Sequence, residues 1–174
     1  MIFRIIYEII NSGDNMLKIK IISVGKIKEK AMNEIICEYE KRLSRYAGFE
    51  SVVIPDLPVK DNPSPTDIEE ILKKEATEIS KKLSARSYKI ALCIEGKKLS
   101  SEKLSALLDK TALTCPGIDF IIGSSHGLHE SIKQNSDFLM SMSDMTFPHN
   151  IARLMLTEQI YRGFKISANE SYHK

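Results

Sequence analysis

Two short apolar runs, each closed by glycine and followed by a helical pattern, restrict this chain more than anything else in it. The first is Lys89-Ile90-Ala91-Leu92-Cys93-Ile94, leading to Glu95-Gly96. The second is Ile118-Asp119-Phe120-Ile121-Ile122, leading to Gly123. A strand apolar on both sides can face water on neither, so it belongs inside a parallel sheet covered by helices. The flanking pattern agrees. Strands are predicted at 18–24, 51–54, 88–94, 118–122 and 137–142. Between them lie helices over 29–46, from Thr66 (or Ser64) to about Leu83, from Ser100 or Ser101 to Leu113, and from about His129 to Asn135. A last helix of about four turns starts at Pro148, where a fixed φ and a missing N–H cost nothing. The fold class is therefore α/β, a doubly wound parallel sheet with helices on both faces. Ligands in such sheets collect at the carboxyl ends of the strands.

The 174 residues fit one domain, placed at 16–174. Residues 1–15 are set apart. MIFRIIYEII is broken by Arg4 and Glu8 and lacks a small-residue cleavage site, so it is neither signal peptide nor membrane span. Met16 opens the first alternating strand, and Gly13-Asp14 can encode a bacterial ribosome-binding sequence just ahead of it. Residues 1–15 thus read as a translated leader. A net charge of +2 is too small to argue nucleic-acid binding, and the basic excess between Leu17 and Gly48 reads as a solvated helix face. Three scattered cysteines (Cys37, Cys93, Cys115) without metal spacing suit a reducing, cytoplasmic setting, and Cys93 reads as core.

Three loops end the later strands: Glu95-Gly96, Gly123-Ser124-Ser125-His126-Gly127, and Ser141 to Phe147. Gathered at one sheet edge, they form a pocket of backbone donors and serine hydroxyls walled by Leu92, Met142, Met145 and Phe147. Such a pocket suits a nucleoside, with amides reading the base edge and apolar side chains covering its faces. Three ordinary strand-to-helix turns are the plainer alternative. The Gly123–Gly127 loop also matches G-x-S-x-G, which would make Ser125 a hydrolase nucleophile served by Asp137 or Asp144 and by His149 or His173. Against this, only about fifty residues follow Ser125, little room for the strands that carry the acid and histidine. His126, His129 and Glu130 match neither common zinc-helix motif, and there is no G-x-G-x-x-G or Walker pattern, so no metal, dinucleotide or P-loop chemistry is expected.

The densest chemistry lies in the last thirty residues, where His149, Arg153, Arg162, Tyr172 and His173 surround an apolar helix. IIGSSHGL, SMSDMTFPH, the helix ARLMLTEQIYRGFKI and the terminal YHK together resemble the bacterial ribosomal RNA large-subunit methyltransferase H family, within the SPOUT superfamily of knotted methyltransferases. The resemblance runs from Leu17 to Lys174. It implies a C-terminal deep trefoil knot, a homodimer, S-adenosyl-L-methionine as methyl donor, and methylation of N3 of a pseudouridine in a 23S rRNA stem-loop on the ribosome, with no membrane and no metal. It also implies cofactor contacts at Leu92, at Gly123, and at Met142, Ser143, Asp144, Met145, Thr146 and Phe147, the loops already singled out. The family usually carries a second glycine where this chain has Ser124. His149 and His173 are the candidate bases for the N3 proton because imidazole titrates near neutrality. Arg153 is a candidate to pair with rRNA phosphate or a developing anion, and Tyr172 to stack on an unpaired base. The bland alternatives are surface histidines, a salt bridge and dimer packing.

Overall fold

A computed structural model describes residues 16–171; residues 1–15, expected as a leader, and the tail residues Tyr172, His173 and Lys174 lie outside the described residues. The elements are β1 Lys18–Val24, α1 Lys30–Leu43, β2 Gly48–Ile54, α2 Pro65–Lys82, β3 Tyr88–Lys98, α3 Ser101–Ala112, β4 Gly117–Ile122, α4 Glu130–Gln134, β5 Phe138–Ser141 and α5 His149–Ser167. The strands form one five-stranded sheet in the order β2-β1-β4-β3-β5, every neighbour pair parallel. The expected α/β architecture with a parallel sheet is thus observed.

Burial follows the pleat. Every residue of β4 is buried. Ile118, Phe120 and Ile122 join Ile19, Ile21 and Ile90 against Leu43 of α1, Leu104 and Leu108 of α3, and Leu156, Ile160 and Phe164 of α5. The alternate residues Ile22, Ala91 and Ile121 face Ala76 and Ile79 of α2 and Ile132 of α4. The sheet therefore has two hydrophobic faces, as its apolar strands require. Helix α2 starts with a full capping box: Ser64 accepts from the Asp67 N–H, and the Asp67 carboxylate accepts from the Ser64 N–H.

Three details differ from the sequence reading. Strand β2 begins at Gly48 rather than Ser51, because the polar Gly48–Glu50 stretch pairs with Lys18–Lys20 at the sheet edge. Helix α1 stops at Leu43, with Tyr46 and Ala47 turning into the core. Cys93 is only half-buried and Ile94 is 58% exposed. The reason lies in β3: its pairing with β4 ends at Leu92–Ile122, and its pairing with β5 jumps from Leu92 to Lys97, both opposite Met140. Residues 93–96 bulge out of the sheet, and Gly96 permits it. A Cβ there would stand 2.5 Å from the Met140 carbonyl carbon.

Candidate active site at the carboxyl edge

The bulge in β3, the turn after β4 and the loop after β5 converge at the carboxyl ends of the central strands. Together with the start of α5 they enclose an open pocket of about 710 Å³, within the range of small-molecule sites. Its apolar walls are Leu92, Ile122, Met140, Met142, Phe147 and Ala152. Met145 stands at the rim, 70% exposed. Ser143 and Thr146 also line it, and the Ser143 hydroxyl accepts from the Met145 N–H at 3.0 Å, bracing the third loop. At another side Lys133 of α4 pairs with Glu95 of the bulge at 2.5 Å. That contact holds the Glu95 carboxyl below and the Lys133 ammonium above their ordinary pKa values. Burial pushes the neighbouring Cys93 thiol up, which disfavours its thiolate.

The expected cofactor-loop residues are thus brought together, with one placed differently. The Asp144 carboxylate pairs with Lys98 and is not among the lining side chains. Gly123 lines the pocket, yet its own turn is what requires glycine: a Cβ would stand 2.1 Å from the Gly127 carbonyl oxygen. Gly127 has φ +86, and its N–H bonds the Ser124 carbonyl at 3.0 Å, closing a tight turn.

His149 is the candidate base that the fold carries into the pocket. Its ring lies against Gly25 at the end of β1, so closely that a Cβ on Gly25 would meet Nε2 at 2.6 Å. Gly25 has φ +96, a backbone state that favours glycine. Arg153, one turn further along α5, is 8% exposed and does not line the pocket. Its Nη2 donates to Ser51 Oγ at 2.6 Å and lies 3.5 Å from Glu40 Oε1. The guanidinium thus ties α5 to β2 and α1 inside the subunit.

The hydrolase alternative is not assembled. Asp137 precedes β5, at the amino edge of the sheet, where its carboxylate accepts from the Lys89 N–H at 2.7 Å. Ser125 follows β4 at the opposite edge, and Asp144 is engaged by Lys98. Ser125 also lacks the strain of a nucleophile elbow: Asn62 and Asn169 are the non-glycine residues with positive φ among the described residues. His129 is committed as the cap of α4, accepting from the Ser131 N–H and contacting Glu69 at 3.0 Å. Among the described residues no group of three or more His, Cys, Asp or Glu is placed to hold a metal ion, and no helix is long and apolar enough to cross a membrane.

Sequence reasoning missed Gly25, Lys133 and the buried Glu75 behind the Ser124 turn. A strand-ending glycine flagged the first. Glu75 carried a signal too, a charge falling within the inward stripe of Leu72, Ala76 and Ile79.

The family described as "Predicted SPOUT methyltransferase" matches residues 17–173. Three proteins called ribosomal RNA large subunit methyltransferase H are similar throughout. That of Streptococcus uberis is 48% identical over 161 residues, that of Streptococcus pyogenes 46% over 161, and that of Streptococcus suis 45% over 159; each alignment covers 91% of this chain and 100% of the relative. The chain belongs to the SPOUT methyltransferase family and, within it, to the ribosomal RNA large subunit methyltransferase H group.

Proposed function

We propose that this enzyme transfers a methyl group from S-adenosyl-L-methionine to N3 of a pseudouridine in a 23S rRNA stem-loop, on the ribosome in the cytoplasm. The observation that carries the reading is the pocket itself. It joins the three loops at the carboxyl edge of the parallel sheet, where such folds hold ligands, and it leaves Met145 exposed at the rim. An apolar side chain so placed gains by covering a flat base. The residues fit the donor: Leu92, Met142, Met145 and Phe147 supply apolar walls, Gly123 and Thr146 supply backbone at the rim, and the Lys133 ammonium is a charge for a carboxylate. When bound, S-adenosyl-L-methionine supplies an activated methyl group on a sulfonium. The chain's own tasks are to align the base and to take the imide proton. His149 is placed for the second task, worth about 10²–10⁴-fold if it acts as a general base. Arg153 serves by fixing α5, and hence His149, relative to β2. Tyr172 and His173 remain candidates for placing the rRNA.

The same reading includes a homodimer and a C-terminal knot. Leu156, Ile160 and Phe164 are buried on the sheet, while Ile151, Leu154 and Met155 stay half-exposed on the same helix; a second copy packed there would cover them. Calorimetric titration with S-adenosylhomocysteine tests the cofactor assignment. Saturable one-to-one binding is expected, and absence of heat or competition at millimolar ligand contradicts it.

A further inference from the structure

Glu75 sits within α2 beside Ala76 and Ile79 and is 3% exposed. Glutamate is almost never fully buried unless paired. Neither of its carboxyl oxygens has a hydrogen-bond partner among the described residues, and the buried Ser124 hydroxyl has none either. What faces this carboxyl is Ser124 from the turn after β4 and the Leu57 backbone N–H from the segment after β2. His126 and Asp56 are the titratable groups that act on it most from the elements packed around α2. A protonated His126 favours the carboxylate, and Asp56 opposes it. Because Ser124 lines the pocket, the carboxyl lies directly behind the ligand site.

We propose that Glu75 is a positioning residue for the pocket: its carboxyl ties the Ser124–Gly127 turn to the backbone at Leu57 and so sets where the pocket wall stands. The inference rests on reading this pocket as the S-adenosyl-L-methionine site. The neutral carboxyl is the form that fits both neighbours. A neutral carboxyl has one O–H to donate and one carbonyl oxygen to accept with, which matches the Ser124 oxygen on one side and the Leu57 N–H on the other. Neither bond is formed in the structure described; a small shift of the turn when ligand fills the pocket would make both. Burial outweighs the polar contacts and raises the pKa above the ordinary carboxylate value, which favours the protonated form. Ionisation would place an unpaired charge behind the turn and pull it toward water.

The test compares the wild type with Glu75→Gln, Glu75→Ala and Glu75→Leu, the last filling the core without polar atoms. Affinity for S-adenosylhomocysteine is measured from pH 5.5 to 9, with amide hydrogen exchange of residues 123–128 alongside. Wild-type affinity is expected to weaken as pH rises through the Glu75 pKa. Glu75→Gln, which keeps one donor and one acceptor, should bind within about twofold of the low-pH wild type and stay flat with pH. Glu75→Ala and Glu75→Leu should bind at least about tenfold more weakly at every pH, near 1.4 kcal/mol, with faster exchange in the turn. The proposal is overturned if Glu75→Gln is as impaired as Glu75→Leu, or if all variants bind alike with the same pH profile. Should the wild type bind no cofactor, the reading of the pocket fails separately. Glu75 is then judged by exchange alone: slow in wild type and Glu75→Gln but fast in Glu75→Leu upholds the tie, and equal rates overturn it.

Discussion

Replacing Gly25 by alanine tests whether the end of β1 exists to seat His149. Two costs arise from one methyl group. At φ +96 an L-residue is strained by about 1–3 kcal/mol. The new Cβ would also lie 2.6 Å from His149 Nε2, roughly an ångström inside ordinary contact, so the imidazole must leave its place. Moving that ring off its rotamer adds about 0.5–1.5 kcal/mol. For a chain of this size each kcal/mol lowers Tm by about 2–4 °C, so a fall of about 3–18 °C is expected. Functionally, displacing the ring should cut methyl transfer by about tenfold or more while leaving affinity for S-adenosylhomocysteine within a few-fold. A thermal-shift series with Gly25→Ala, His149→Ala and the double variant separates the costs. In the double variant the steric part should vanish and the backbone part remain, giving a coupling of about 0.5–1.5 kcal/mol. A Gly25→Ala enzyme with unchanged Tm and turnover would refute both the strain and the role assigned to His149.

Gly123→Val should destabilise the turn as well as abolish cofactor binding, since its Cβ collides with the Gly127 carbonyl; normal affinity in calorimetry would remove the pocket from this loop. Arg153→Ala should cost about 2 kcal/mol or more in denaturant unfolding, because it strands the partly buried Glu40 and the Ser51 hydroxyl. Stability like that of the wild type would free Arg153 for a role at the substrate. Deleting Tyr172, His173 and Lys174 should leave Tm and cofactor binding nearly unchanged but lower methyl transfer to undermethylated ribosomes by about tenfold, equal to 1.4 kcal/mol of transition-state stabilisation. Normal turnover by the truncated enzyme would leave His149 as the histidine to test.

The sheet was legible because β4 and most of β3 are written in residues that tolerate water on neither face. Even Asp119, the one charge in the second run, is buried and satisfied, accepting from the Ser84 N–H at 2.6 Å. The pocket loops after β4 and β5 followed from chain polarity alone, since every strand is parallel and every loop after a strand opens at the same edge. Other features depended on partners far along the chain. Arg153 looked like chemistry because it lies one helical turn from His149; its anchors, Ser51 and Glu40, are more than a hundred residues away. Cys93 looked like core because the apolar run continues to Ile94, whereas the pairing with β4 stops at Leu92. The bulge that exposes these residues was signalled only by Gly96, and one glycine does not reveal which backbone it approaches. Gly123 was expected as a cofactor contact; it lines the pocket, and its own turn also leaves no room for a Cβ beside Gly127.

The central claim is that this pocket delivers a methyl group to large-subunit rRNA. Its most direct test is to incubate the enzyme with methyl-labelled S-adenosyl-L-methionine and ribosomes from cells lacking the modification, then to map the label by nuclease digestion and mass spectrometry. Label is expected at N3 of a single pseudouridine in 23S rRNA, reduced by at least about tenfold with His149→Ala. Folded, cofactor-binding enzyme that leaves 23S rRNA unlabelled, or that labels a different atom, would contradict it.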